Sequence, residues 1–348
     1  MRAEFAWWPV RLLFALALLA LPLFQGGGAA IAQDQTQAQR QQVQPYNNAP
    51  VWRDVRSGKE EYTSIKGRET GVLIQTFGET WRALRNSWIV PIAGWFIFAF
   101  ACVLAAMYWV RGPMKMRAKP SGRLIQRFTV IERVAHWTVA ISFCLLALSG
   151  LIMMVGKYVL LPVIGYTLFS WLTQLSKVLH NFTGPVFIAG ALLMIVLFAR
   201  HALPRAADLV WLIKSGGGVK TDVHIPCGFL NGGQKMWFWG GLVVMSIVIS
   251  VSGLVMDFPN FDQVRSTMII ANVVHSSFAG LMMGLSLFHM YMGSKIGVEG
   301  AYEGMRYGYV DEAWAKEHHE LWYADVKSGK TKTGSAEGTP EAPQVAHG

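Results

Sequence analysis

The chain has 348 residues, of which 53% are hydrophobic and only 15% are charged. Soluble domains carry about 25% charged residues, so this composition excludes an ordinary soluble globule or a disordered chain and predicts a membrane protein. Lys and Arg outnumber Asp and Glu by 31 to 21, a formal net charge of +10 that we interpret as information on sidedness.

The N-terminus has the pattern of a secretory signal. An apolar run from Leu12 to Phe24 is too short to span a bilayer comfortably, and Ala30-Ile31-Ala32 follows as a typical cleavage pattern. We therefore predict a signal peptide at 1–32, with a retained signal anchor as the alternative. Residues 33–87 begin with a Gln-rich stretch and continue as a mixed, charged sequence, so we expect an exported N-terminal segment.

Five uncharged stretches of bilayer length follow, and we number them as the first to fifth spans. The first is an extra transmembrane helix at about 88–110. A further uncharged stretch, 158–176, contains Pro162, Gly165 and several polar residues, and we expect an interfacial helix there. A sixth span at this place would invert everything after it. The five stretches lie between Asn86 and Arg111, Arg133 and Lys157, Lys177 and Arg200, Lys235 and Asp257, and Arg265 and Lys295.

Loop charge predicts the orientation. The segments 111–133 and 200–235 hold seven and five Lys or Arg residues, while the alternate loops are poor in them. Basic loops face the cytoplasm, so we expect a multi-pass protein of the bacterial inner membrane. In this topology the segment 33–87 is periplasmic and the tail, 298–348, is cytoplasmic.

Four histidines fall inside the spans at matching depths. His136 opens the second span at its cytoplasmic end, and His180 opens the third span at its outer end. His275 and His289 share the fifth span, 14 residues apart, which is nearly four turns and about 21 Å along one helix face. His136 can thus face His289 near the inner surface, while His180 faces His275 nearer the outer surface.

Two histidines from different helices are what a six-coordinate b-type haem requires, so the two pairs predict two haems. Three cysteines are too few for a disulfide framework or a cysteine-ligated iron–sulfur cluster. A zinc site needs three or four ligands together, and a proton relay usually recruits Asp or Glu, which these spans lack. The simpler alternative for each histidine is a hydrogen bond between helices, as in a haem-free membrane anchor or transporter. The remaining histidines are expected to be solvated: His201, His224, His318, His319 and His347.

An ordered set of short sequence words resembles the gamma subunit of membrane-bound respiratory formate dehydrogenase, a dihaem cytochrome b. The similarity covers about residues 124–326 in one register, so residues 1–123 lie outside it. The words are Glu132–Trp137, Leu146–Gly150, Leu179–Gly184, Asn231–Met236, Val274–Ser277, Phe288–Met292, Trp314–His319 and Trp322–Tyr323.

The resemblance implies an all-α membrane protein, a four-helix dihaem cytochrome b bundle at 124–297, here with one extra N-terminal transmembrane helix. It implies that His136 and His289 bind the inner haem b iron, and that His180 and His275 bind the outer one. It also implies a quinone site beside the inner haem. Asn231 and Gly233 match residues of that site and Gln234 follows them, although Asn-Gly-Gly alone favours a tight turn before a helix.

By the same resemblance the chain would be an electron-transfer subunit and would have no formate chemistry of its own. An exported catalytic alpha subunit would oxidise formate, and an iron–sulfur beta subunit would pass the electrons through the two haems to quinone. The near alternative is the b-type cytochrome of a membrane-bound nickel–iron hydrogenase, which has a similar architecture. We expect residues 33–110 to contact partner subunits or to stabilise assembly.

Overall fold

The computed structural model describes residues 49–58, 77–214, 225–261 and 263–331. The predicted signal peptide, most of the predicted exported segment, His224 and His347 lie outside these residues. The described chain is dominated by five helices that are long and apolar enough to cross a membrane. The prediction of an all-α membrane protein with one span in front of a four-helix bundle is therefore confirmed.

The spans differ in regularity. The second span, Val130–Val159, is capped by Thr129. The Thr129 hydroxyl accepts a hydrogen bond from the Glu132 N–H, and the Glu132 carboxylate accepts one from the Thr129 N–H. The first span joins α-helix Gly78–Leu84, a π-helical turn Arg85–Ile89 and α-helix Val90–Arg111. The fourth joins Gly232–Met236, π-helical Trp237–Met245 and Ser246–Asp257, and the fifth is α-helix Arg265–Met292.

The third span, Leu161–Phe198, changes the prediction for 158–176. Only Gly165 breaks the helix, with φ of +74°, and the chain from Tyr166 to Phe198 is continuous. Those 33 residues extend about 50 Å, well beyond the roughly 30 Å of a hydrocarbon core. The expected separate interfacial helix is therefore wrong for 166–176, because these residues continue the third span toward its turn with the second. The described residues contain no sixth span.

Spans two to five pack against one another in chain order. The second and third pack as an antiparallel hairpin, the third contacts the fourth, and the fourth packs along the fifth. The first span lies outside this set, against the fifth, where a side chain added at Gly280 would meet Ala93 and one added at Gly284 would meet Phe96. Small residues let helix backbones approach closely in membranes, so these two glycines form the docking surface for the first span.

Short elements cover one end of the bundle. Strand β1, Leu124–Gln126, pairs antiparallel with strand β2, Tyr309–Asp311, with Ile125 opposite Val310. We call this end, where the two Lys- and Arg-rich loops lie, the basic end. The tail thus folds back onto the bundle, and its own core consists of Val310, Trp314, Ala315 and Trp322. The short helices at this end are Ala206–Ile213, Ala301–Tyr307, Glu312–His318 and Glu320–Lys327. A further short helix, Ala49–Ser57, precedes the first span in the chain.

Candidate functional site

The structure brings the four histidines of the spans together in two pairs. The ring centroids of His136 and His289 are 6.2 Å apart, and those of His180 and His275 are 6.1 Å apart. Since His275 and His289 lie 14 residues apart on one helix, the pairs are separated by about 21 Å along the bundle. The first pair lies at the basic end and the second toward the opposite end.

Hydrogen bonds orient both rings of the opposite pair through Nδ1. His275 Nδ1 lies 2.9 Å from the Ile249 carbonyl oxygen, which can only accept, so this nitrogen donates. His180 Nδ1 lies 2.9 Å from Ser149 Oγ, whose own hydroxyl donates to the Leu145 carbonyl. Both contacts put the proton on Nδ1 and leave the Nε2 lone pair free, which is how metal-binding histidines are usually held.

A Ser-Gly pair stands beside each of these two rings. Ser149-Gly150 of the second span faces His180, and Ser252-Gly253 of the fourth span faces His275. A side chain added at Gly150 would lie 3.5 Å from His180 Cε1, and one at Gly253 would lie 3.2 Å from His275 Cε1. The glycines therefore give each ring room against a neighbouring helix. Of the other span glycines, Gly190 packs on Thr138 and Val139, and Gly184 faces open space.

At the basic end, the His136–His289 pair is framed by aromatic rings. Trp237 of the fourth span stacks on His289 with centroids 5.3 Å apart and planes 16° apart. Within the described part of the chain, His136 Nδ1 is a buried polar atom without a hydrogen-bond partner. His136 thus differs from His180 and His275, whose Nδ1 atoms are held by hydrogen bonds to neighbouring spans.

Both pairs fit an iron held between two imidazoles. A ring nitrogen binds a first-row metal at about 2 Å, so two such bonds and the half-width of each ring give a centroid separation of roughly 6 Å. The observed separations of 6.2 and 6.1 Å agree with that value. The residues present therefore suit haem b, and ligation of two haem irons by these four residues stays a prediction.

The predicted quinone residues lie at the start of the fourth span. Asn231 Oδ1 accepts from the Gln234 N–H at 2.8 Å, and Gln234 Oε1 accepts from the Asn231 N–H at 3.0 Å. This reciprocal capping box is the turn-before-helix role that Asn-Gly-Gly favours by itself. Because both oxygens face backbone donors, the two side-chain NH₂ groups point away from the cap as hydrogen-bond donors. Quinone binding by Asn231, Gly233 and Gln234 stays a prediction.

A tryptophan that the sequence analysis missed covers this cap. A side chain added at Gly233 would meet the Trp211 ring at 2.8 Å, and one at Gly232 would meet the same ring and the Asp208 carbonyl. Lys235 links the fourth span to the helix that carries Trp211. Its Nζ donates to Asp208 Oδ2 at 2.7 Å and to the Leu203 carbonyl at 3.0 Å. Trp211 and the fourth-span N-terminus thus form one surface at the basic end.

The prediction that His319 is solvated is wrong, because its side chain is only 2% exposed. Its Nε2 lies 3.0 Å from Arg127 Nη2, and its Nδ1 donates to the Gly228 carbonyl at 2.7 Å. Burial, and then the nearby Arg127 charge, lower the pKa of His319 well below its ordinary range, so the ring is neutral. The tail folds over it, which the polar composition of this segment gave no reason to expect. His201 is partly buried as well, against Phe229.

Apolar spans that hold histidine pairs at two depths are the architecture of a membrane-bound b-type cytochrome, and this is the class of protein that the fold and site define. Comparison with protein families agrees, since residues 127–298 match the family of prokaryotic cytochrome b561.

Individual relatives narrow the class. The chain is 31% identical over 226 residues to the cytochrome b556(Fdn) subunit of the nitrate-inducible formate dehydrogenase of Escherichia coli K12, covering 62% of this chain and 98% of that protein. It is 31% identical to the cytochrome b556(fdo) subunit of formate dehydrogenase from the same strain, covering 60% and 96%. A Haemophilus influenzae formate dehydrogenase cytochrome b556 subunit is 28% identical, covering 61% and 87%. The chain belongs to the family of formate dehydrogenase cytochrome b subunits.

Proposed function

We propose that this membrane cytochrome b carries electrons from formate oxidation on one side of the membrane to quinone reduction on the other. The observation that carries the proposal is the geometry of the two histidine pairs, about 21 Å apart along the bundle in a chain of this family. Two redox centres at these depths divide the thickness of the bilayer into shorter electron-transfer steps.

In this proposal His180 and His275 hold the outer haem b, and His136 and His289 hold the inner one. Bound haem supplies the one-electron chemistry of its iron, Fe(III) to Fe(II). The protein's part is to present four neutral imidazoles with Nε2 toward the iron. The hydrogen bonds from His275 Nδ1 to Ile249 and from His180 Nδ1 to Ser149 support that orientation for the outer pair.

The proposed quinone site is the surface made by Asn231, Gly233 and Gln234 with Trp211. Trp237, which stacks on His289, follows Asn231 by six residues, or about 9 Å of helix, so the surface lies close to the inner pair. The amide NH₂ groups of Asn231 and Gln234 are suited to donate to a quinone carbonyl oxygen. A quinone that takes up two electrons also takes up two protons, and a cap at the bundle's end is accessible to them.

The proposed partners are an iron–sulfur beta subunit, which delivers electrons to the outer haem, and an exported catalytic alpha subunit, which oxidises formate. The names of the relatives support membership of such a complex. We place the chain in the bacterial inner membrane, with the basic end and the tail in the cytoplasm, because basic loops stay on that side. Formate oxidation outside and proton uptake inside would then build a membrane potential.

The alternative of a nickel–iron hydrogenase cytochrome is less favoured, since the relatives described above are formate dehydrogenase subunits. A haem-free anchor is less favoured because those relatives and the matching family are cytochromes. We expect the extra first span to contact partners or to stabilise assembly.

The test is to purify the chain with its partner subunits and to follow its haem absorbance without oxygen. Formate should reduce both b-type haems, and a short-chain quinone should then reoxidise them. Reduction by hydrogen and not by formate would favour the hydrogenase alternative. A complex without haem would contradict the proposal altogether.

A further inference from the structure

The three residues Cys227, Gly228 and Phe229, just before Leu230 and Asn231, are tied one after another to other parts of the basic end. Cys227 Sγ donates to the His318 carbonyl at 2.8 Å, and the Cys227 carbonyl accepts from the Leu321 N–H at 3.1 Å. The Gly228 carbonyl accepts from His319, as described above. The Phe229 carbonyl accepts from Arg127 Nη2 at 2.7 Å. The position of this segment therefore depends on Arg127 and on the tail.

Arg127 is held in an unusual environment for a cation. Its side chain is only 5% exposed, and its Cζ lies between 4.8 and 5.2 Å from the centroids of four aromatic rings. Cation–π contacts of this kind offset part of the cost of burying a charge. The rings belong to Phe128, Phe229, Trp314 and Trp322.

The Arg127–His319 contact fixes the tautomer of the histidine. An arginine only donates, so His319 Nε2 must accept at 3.0 Å, and Nδ1 must carry the hydrogen that is donated to Gly228. Arg127 therefore fixes the His319 ring in the tautomer that holds Gly228. In a doubly protonated His319, the Nε2–H would face the Arg127 N–H, and two donors would oppose each other. Burial lowers the pKa of Arg127 to about 9, which leaves it mainly charged at pH 7.

We propose that Arg127 and His319 form a clamp that sets the position of Asn231, which makes them positioning residues of the proposed quinone site. The inference rests on the proposed function, because it needs quinone to bind at Asn231. Leu230, the residue between the clamped segment and Asn231, is buried in the bundle core with Phe128 and Phe198, so a shift of the segment passes directly to the cap. Displacing a binding group by 1 Å can slow a reaction on the order of a hundredfold.

Two substitutions separate the two hydrogen bonds of His319. In His319→Asn the amide nitrogen takes the place of Nδ1 and keeps the donor to Gly228, but Arg127 loses its acceptor. In His319→Gln the amide oxygen takes the place of Nε2 and keeps the acceptor for Arg127. His319→Ala loses both. Ser328→Ala is the matched control in the same tail, since its exposed hydroxyl donates to the Asp325 carbonyl of its own helix and not to the clamped segment.

The experiment uses the whole complex. Haems reduced by dithionite are mixed with a short-chain quinone in a stopped-flow instrument, and haem content and reduction potentials are measured in parallel. We expect His319→Ala to slow reoxidation about tenfold to a hundredfold or to raise the quinone KM, with two haems and unchanged potentials. His319→Asn and His319→Gln should each restore part of the rate, and Ser328→Ala should match the wild type.

Three outcomes would overturn the clamp. If Asn231→Ser is slow and His319→Ala is normal, the quinone site stands and the clamp does not. If His319→Ala and His319→Gln both lose haem, the pair is part of the scaffold and does not specifically position Asn231. If neither Asn231→Ser nor His319→Ala changes the kinetics, the proposed quinone site itself is wrong, and the clamp falls with it.

Discussion

At the scale of single residues, Asn231 and Gln234 cap a helix and are also the proposed quinone-binding residues, so most substitutions would disturb both roles at once. Their oxygens satisfy backbone N–H groups of the helix start, while their NH₂ groups remain as donors. One side chain thus has two roles that involve different atoms. A substitution that keeps the oxygen and removes the NH₂ group tells the two roles apart.

We predict that Asn231→Ser keeps the helix cap and slows quinone reduction. Serine is as good an N-cap as asparagine, so haem content and thermal stability should hold. Loss of one hydrogen bond to the quinone costs about 1 kcal/mol or more, so we expect the rate at low quinone concentration to fall roughly fivefold to tenfold. The measurement is haem reoxidation by a short-chain quinone.

Asn231→Ala is the companion variant, because it loses the cap and the donor together. Loss of haem from Asn231→Ser would mean that the residue is structural. An unchanged rate in both variants would remove Asn231 from the quinone site.

The sequence predicts the depths of the four span histidines but not their hydrogen-bond partners. Depth follows from counting residues along each span, so the sequence alone is enough to propose the pairing of His136 with His289 and of His180 with His275. The partners of Nδ1, Ser149 and Ile249, lie on other spans and depend on the rotation of each helix about its axis. A histidine count cannot supply that rotation.

At the scale of elements, the fifth span has two faces with different roles, and the first span packs on one of them; we call this contact the seam. The fifth span presents His275 and His289 to the bundle, while Gly280 and Gly284 receive the first span on another face. The sequence alone does not indicate whether these glycines make room for a porphyrin or for another helix. The choice depends on which neighbour lies on that face, and the neighbour is the added helix.

We predict that Gly284→Leu destabilises the protein by displacing the first span. An added Cβ already overlaps the Phe96 ring, and overpacking of this kind typically costs about 1–3 kcal/mol. The midpoint temperature for loss of haem absorbance should therefore fall. Gly240→Leu in the fourth span is the control, since a Cβ there meets no atom within 4 Å. Equal stability of the two variants would contradict the seam.

The folded tail is held in place by contacts of Glu312, and these contacts depend on pH. Its carboxylate accepts from Tyr323 Oη at 2.5 Å and pairs with Lys327 at 2.6 Å and with Arg123 at 2.5 Å. The Lys327 hydrogen bond, followed by that of Tyr323, lowers the pKa of Glu312 from 4.5 to about 2. A lowered pKa stabilises the folded form above the unfolded value of 4.5 and loses that contribution as the pH falls from there toward 2.

We therefore predict that the tail of the wild type becomes more sensitive to protease as the pH falls below about 4.5, and that Glu312→Gln removes most of this dependence. Cleavage within the tail is measured with an acid-active protease between about pH 7 and about pH 3. Glu79→Gln, which removes an exposed ion pair with Arg82 far from the tail, is the control. The same pH dependence in wild type and Glu312→Gln would contradict the assignment.

The third span shows the limit of prediction at this scale. Pro162, Gly165 and scattered polar residues suggested an interfacial helix, yet the chain turns only at Gly165, where φ is +74°. A positive φ costs glycine little, so the turn takes one residue and the helix resumes at once. Composition predicted an interruption but neither its length nor the roughly 50 Å helix that follows.

At the scale of the whole molecule, charge and depth give one consistent account. The loops rich in Lys and Arg, the folded tail, the Asn231 cap and the His136–His289 pair share the basic end, and the His180–His275 pair lies toward the other end. Composition, span count and loop charge predicted this arrangement of the bundle. The folded tail and its clamp were not predicted, because they depend on long-range contacts between residue 127, residues 227–229 and residue 319.

We predict that one chain holds two haems b, each between one of the two histidine pairs. Haem stoichiometry on the purified complex, with a reduced-minus-oxidised spectrum, tests it most directly. The wild type should contain two b-type haems per chain, and His275→Ala and His136→Ala should contain one each. The first variant should lose the outer haem and the second the inner haem. Ser276→Ala, whose hydroxyl bonds only its own helix, should keep both. A wild type with one haem or none, or loss of the same haem in both histidine variants, would show that the two pairs do not each hold a haem.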